Sequence, residues 1–165
     1  MLTGASVFLA FLIGLLFATT FVTIGVGAIL TVQRDQAYER IAAVGAPASS
    51  YGLVVFAFIL IVVLFLLMAR FLLDLRRIIA TVRHGDPFFA ENARRLKGMG
   101  WLAVAAQLVW LVLVAIARWT AQYVEGRSAP DPNLVGGLLL ILVLFILARV
   151  FRLGAEMRTD LEGTV

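Results

Sequence analysis

Four long apolar runs set the limits on what this chain can fold into. They fall at about residues 5–31, 51–75, 101–120 and 134–152. A helix that crosses a hydrocarbon core of roughly 30 Å needs about 20 residues, and each run is near that length or longer. The expectation is an all-α protein, an integral membrane four-helix bundle. Residues 1–165 form a single domain, because the connections between the runs are too short to fold alone.

Composition agrees with this reading. The chain is 62% hydrophobic with a mean hydropathy of +1.02, outside the range of soluble domains. The net charge of +4 and the pI near 10.3 do not imply direct contact with nucleic acid. The basic residues mostly flank apolar runs, where they anchor to headgroups and set orientation. There is no cysteine, which excludes a disulfide scaffold, a thiolate metal site and dithiol redox chemistry. The first run could be read as a secretory signal. The leader Met1-Leu2-Thr3-Gly4 has no side-chain charge, however, and the run exceeds a signal's apolar region. It is expected to stay as a helix.

Basic residues between the runs give the threading. The segment Arg70–Gly100 holds Arg70, Arg76, Arg77, Arg83, Arg94, Arg95 and Lys97. The first connection holds Arg34 and Arg40, the third Arg118 and Arg127, and the C-terminal end Arg149, Arg152 and Arg158. Excess positive charge marks cytoplasmic loops. The expectation is a bacterial inner-membrane protein with loop 76–100 and both termini in the cytoplasm.

Polar residues inside or beside the spans are the candidates for interhelical contact. Gln107 lies about two turns inside Trp101 and is expected to hydrogen-bond a neighbouring helix, with a substrate contact as the alternative. Arg70 and Asp74 are four residues apart and can pair on one face. Arg149 falls at similar depth, so an Asp74–Arg149 bridge between the second and fourth helices is one reading. Snorkelling at the inner interface is the other. No acidic residue lies at the midplane, which argues against a proton-coupled carrier. Gly14, Thr19, Thr20, Thr23, Gly25 and Gly27 in the first run suit close helix packing, and a homo-oligomer contact there is left open. Asp131 is expected to cap the fourth helix, with Pro132 at its first position.

The loop 76–100 is the main polar element. Leu72, Leu75, Ile78, Ile79 and Val82 keep a helical period, so the second helix is expected to run on to about Arg83. Gly85 should end it and Asp86-Pro87 should turn the chain. A new helix then starts near Phe89 or Ala90, with Glu91 in its first turn. Phe88 and Phe89, at the tip of a basic loop, either pack back on the bundle, enter the lipid interface or hold a partner. The candidate partner surface is Asp86, Pro87, Phe88, Phe89, Glu91, Asn92, Arg94 and Arg95.

The loop and the tail carry a family resemblance. The stretches are Leu75-Arg76-Arg77-Ile78-Ile79, Gly85-Asp86-Pro87-Phe88, Glu91-Asn92-Ala93-Arg94-Arg95-Leu96 and Gly100-Trp101. At the C-terminal end are Ala148-Arg149-Val150-Phe151-Arg152, Gly154-Ala155 and Leu161-Glu162-Gly163-Thr164-Val165. Together they resemble the domain-of-unknown-function family 2975. The resemblance implies a small four-span bacterial membrane protein with no family active-site residues. It also implies a gene neighbour of the Cro/repressor helix-turn-helix type, hence a role as membrane-bound regulator or partner of a small transcription factor. The net acidic stretch Glu156–Glu162 either meets such a partner's basic surface or is a frayed helix end.

Other classes are less well supported. A transporter or channel subunit needs a polar path, and only Gln107 and the threonines of the first run hint at one. A lipid-interacting structural role suits the basic inner loop, with membrane lipids as partners. No enzyme is expected. His84 is the only histidine, no nucleophile, phosphate-loop or metal motif occurs, and no cofactor is implied.

Overall fold

Uninterrupted apolar sequence becomes uninterrupted helix. The computed structural model describes residues 2–83, 90–124 and 130–162. They form five helices and no strand: α1 Leu2–Val32, α2 Arg34–Ala43, α3 Ser50–Arg83, α4 Ala90–Ala121 and α5 Leu134–Glu162. Four of these, α1, α3, α4 and α5, are long and apolar enough to cross a membrane. The chain is a multi-pass membrane protein. The 34 residues of α3 and 32 of α4 extend about 50 Å at 1.5 Å per residue, well beyond a core of roughly 30 Å. Both therefore project past the bilayer at the arginine-rich end, as the helical period through Val82 suggested. The expected break at Gly85 and the Asp86-Pro87 turn lie outside the described residues.

Two elements differ from expectation. The first connection contains a helix, α2, which is polar and buries no side chain. It ends in a Schellman motif: Ala46 N–H donates to the Ile41 carbonyl (3.1 Å) and Gly45 N–H to the Ala42 carbonyl (3.0 Å). Gly45 has φ +70°, a left-handed backbone that glycine adopts without steric cost. Tyr38 of α2 packs on Tyr51 of α3 at 4.9 Å between ring centres.

The second difference is at the start of α5. Pro132 lies before the helix, which begins at Leu134. Asp131 Oδ1 accepts from the Asn133 N–H at 3.1 Å, so it caps a turn and not the helix itself. Asn133 takes the left-handed backbone at φ 44°, which asparagine tolerates better than most residues. The Pro132 carbonyl accepts from Trp110 Nε1 at 3.0 Å, tying the α5 entrance to α4. α5 itself continues ten residues past the span end at 152, to Glu162, in line with the reading of Glu156–Glu162 as a helix end and helped by the i,i+4 pair Arg152–Glu156 at 3.8 Å.

The helices pack in chain order. α1 lies on α3, α3 on α4 and α4 on α5. Among the described residues, α1 comes nowhere within 8 Å, Cα to Cα, of α4 or α5. Phe8, Phe11, Phe21 and Val22 of α1 are accordingly exposed, as lipid-facing residues are. The hydroxyls of α1 are satisfied inside the helix: Thr20 Oγ1 donates to the Leu16 carbonyl (2.7 Å) and Thr23 Oγ1 to that of Thr19 (2.8 Å).

The tightest packing lies at the basic end. Ile78 of α3, Leu96 and Met99 of α4, and Leu144 and Ala148 of α5 form one buried cluster, with Phe71, Leu75, Ala103 and Phe151 around it. Lipid tails give no hydrophobic drive for helices to associate. Leu144 and Ala148 belong to the apolar run of α5, so the cluster straddles the edge of the bilayer and rests on close side-chain packing as well as on apolar burial. Gly100 allows part of it: a Cβ there would sit 3.1 Å from Phe145 Cζ. The ring fills that space and meets Trp101 edge-on at 5.7 Å.

Candidate functional site

The basic end is held together by a short polar chain. Asn92, in the first turns of α4, is fully buried. Its Nδ2 donates to Thr81 Oγ1 at 2.8 Å, and Thr81 Oγ1 donates to the Ile78 carbonyl at 2.7 Å. Arg95 Nη1 donates to Asn92 Oδ1 at 3.3 Å. A buried amide with its groups paired fixes register, because any slip leaves it unsatisfied. The Asn92–Thr81 contact therefore sets how α4 sits against the end of α3.

Charges around this lock are paired locally. Asp74, with its side chain only 7% exposed, accepts from Arg70 Nε and Arg77 Nη1, each at 3.2 Å. Glu91 pairs with Arg94 and, at 3.7 Å, with Arg95 Nε. A cleft of about 590 Å³ opens between α4 and α5, lined by Ala90, Ala93, Arg94, Lys97, Phe145, Ile146, Ala148, Arg149 and Arg152. Its charged lining is entirely cationic and its floor is apolar.

A second, smaller cavity of about 240 Å³ lies deeper, between α3, α4 and α5, lined by residues that include Met68, Phe71, Gln107, Trp110 and Gly137. Gln107 Nε2 is buried with no hydrogen-bond partner. The amide fits because Gly137 has no side chain: a Cβ there would fall 1.8 Å from Gln107 Oε1.

Residues 29–165 match the model of a family described as protein of unknown function, DUF2975. The chain belongs to the DUF2975 family. No curated protein and no solved structure matches it.

In this DUF2975 chain the sequence-derived site residues divide into groups. Asp86, Pro87, Phe88 and Phe89 lie outside the described residues. Glu91, Asn92, Arg94 and Arg95 share the first turns of α4, where Asn92 faces inward and Arg94 outward. The Asp74–Arg149 bridge does not form. Asp74 is occupied within α3 by Arg70 and Arg77, and Arg149 faces the α4–α5 cleft. Gln107 packs on α5 but donates no hydrogen bond to it.

Three residues of the DUF2975 basic end were not among the sequence-derived site residues: Thr81, Lys97 and Arg152. A signal for the last two exists. Arg94 and Lys97 are three apart on α4, as are Arg149 and Arg152 on α5. Such pairs share a helix face, and both flank the apolar boundary marked by Trp101 and Phe145. Among the described residues, no group of three histidine, cysteine, aspartate or glutamate side chains converges to hold a metal.

Proposed function

We propose that this chain is a bacterial inner-membrane protein, both termini cytoplasmic, whose basic end docks a small soluble helix-turn-helix regulator and holds it at the membrane. It acts by binding and not by catalysis. One observation carries the reading: α3 and α4 run well past the apolar core and are locked there by Asn92, Thr81 and the Ile78–Met99 cluster. A span needs only its apolar length. A polar head, rigidly built beyond it, is surface available to a partner. The excess of arginine and lysine at this end supports its cytoplasmic placement. Mixed charge, with half-buried Glu91 and exposed Glu156 among the arginines, offers acidic groups to a basic DNA-reading surface. The gene neighbourhood implied by the family resemblance supplies the partner class.

The test is crosslinking in native membranes, followed by reconstitution of the purified pair in nanodiscs. Recovery of a small helix-turn-helix protein, released by its own operator DNA and lost in a Glu91→Lys, Glu156→Lys variant, is the expected result. Recovery of the chain with lipid alone would sink the docking role.

A further inference from the structure

We propose that the cleft between α4 and α5 is a binding site for the headgroup of an anionic phospholipid, with two phosphodiesters better matched than one. The argument starts from charge. Arg94, Lys97, Arg149 and Arg152 line the cleft, and no carboxylate does. Glu91 is shared between Arg94 and, outside the lining, Arg95 at 3.7 Å, and Glu156 pairs with Arg152 at 3.8 Å. Lys97 and Arg149 have no ion pair with any described residue. Counting the four cations against those two carboxylates leaves at least +2, enough charge for two phosphodiesters.

Depth agrees with charge. Trp101 is 61% exposed and lies one turn beyond Lys97 on α4, where an interfacial aromatic marks headgroup level. On α5 the two arginines stand at the C-terminal end of the apolar run. The four cations therefore stand where phosphates stand. Below them the lining turns apolar through Phe145, Ile146 and Ala148. The outer surface continues apolar through exposed Ile146, Leu142 and Leu139, along which acyl chains can lie. A cationic rim above an apolar trough has the polarity of a lipid. A soluble phosphate would use the rim alone. The volume of about 590 Å³ is within the usual range for a small-molecule site. Basic pockets between helices on the cytoplasmic side commonly take anionic headgroups. The proposal stands apart from the docking of a regulator, since it uses the membrane-level cleft and reads lipid, not protein.

The experiment is native mass spectrometry of the purified chain, released from nanodiscs of equal parts diphosphatidylglycerol, phosphatidylglycerol and phosphatidylcholine. The expected result is one retained diphosphatidylglycerol per chain, in preference to the other two lipids. A Lys97→Gln, Arg149→Gln variant should lower that retention by about tenfold or more, given a contribution near 1 kcal/mol from each basic residue. An Arg34→Gln, Arg40→Gln variant removes the same charge from α2 and should retain lipid as the unaltered chain does. Both variants replace exposed cations, and equal melting temperatures confirm their folding. A misfolded Lys97→Gln, Arg149→Gln variant is replaced by Arg149→Lys, which should keep at least half the retention. Three results would overturn the proposal. They are equal retention of the zwitterionic lipid, undiminished retention in the cleft variant, and displacement of the lipid by millimolar inorganic phosphate, which would make this a soluble-phosphate site.

Discussion

Single side chains decide how the basic end is assembled, and two of them behave oppositely. Asn92 is buried and fully engaged. Asn92→Ala leaves the Thr81 hydroxyl and the Arg95 guanidinium short of a partner, so stability should fall by about 1–3 kcal/mol. Thr81→Val in the same background should then cost little, because the partner is already gone. A double-mutant cycle on apparent melting temperature in detergent checks this. Gln107 is buried and has an amide without a partner. Gln107→Leu removes an unpaired donor and retains most of the volume, so stability should be unchanged or higher. A loss beyond about 1 kcal/mol would show that the amide meets a partner in the membrane. These two residues were separable in the sequence only by position. Both are amides on α4, and what distinguishes them is the residue opposite: Thr81 for one, Gly137 for the other. Pairing across helices depends on their rotation, which a single sequence does not encode locally.

Helices were more legible than side chains, for reasons visible in particular residues. The end of α3 at Arg83 and the start of α4 at Ala90 follow from apolar periodicity on one side and an early glutamate on the other. Charge after Val150 marks the end of the span but not of the helix, and α5 runs on through Glu156–Glu162 as the helix-end reading of that stretch has it. α2 is not legible because it is polar and buries no residue, so it carries no apolar stripe, and only Gly45, the residue that a Schellman ending favours, marks it. For Asp74 the sequence offers Arg70 on the same face and Arg149 at similar depth, and the structure adds Arg77. Contacts within a helix need no tertiary arrangement, and the two nearer ones hold it. Asp74→Asn and Arg149→Gln should therefore be additive in stability within about 0.5 kcal/mol. Asp74 and Arg77 should couple measurably, although the half-exposed arginine limits that coupling to about 1 kcal/mol. A pair of thermodynamic cycles separates the two cases.

At the scale of the molecule, threading is open to a clean test. The chain has no cysteine, so a single introduced thiol reports without background. Under the proposed orientation, Arg76→Cys and Met157→Cys should react with a membrane-impermeant maleimide only in inverted vesicles. Ala37→Cys, on α2, should react only in intact spheroplasts. The opposite pattern would turn the protein over and place its basic end outside the cell.

The packing order also bears on how the chain is made. Each long helix touches the one that precedes or follows it among the spans, and α1 touches no other span than α3. Helices leave a ribosome-bound translocon in that same order. Each can therefore meet its first partner as soon as the next segment enters the bilayer, while the cluster that joins Ile78 of α3 to Leu144 and Ala148 of α5 is completed by the last helix. Contacts made between neighbours in the chain form fast, an order that favours assembly during synthesis.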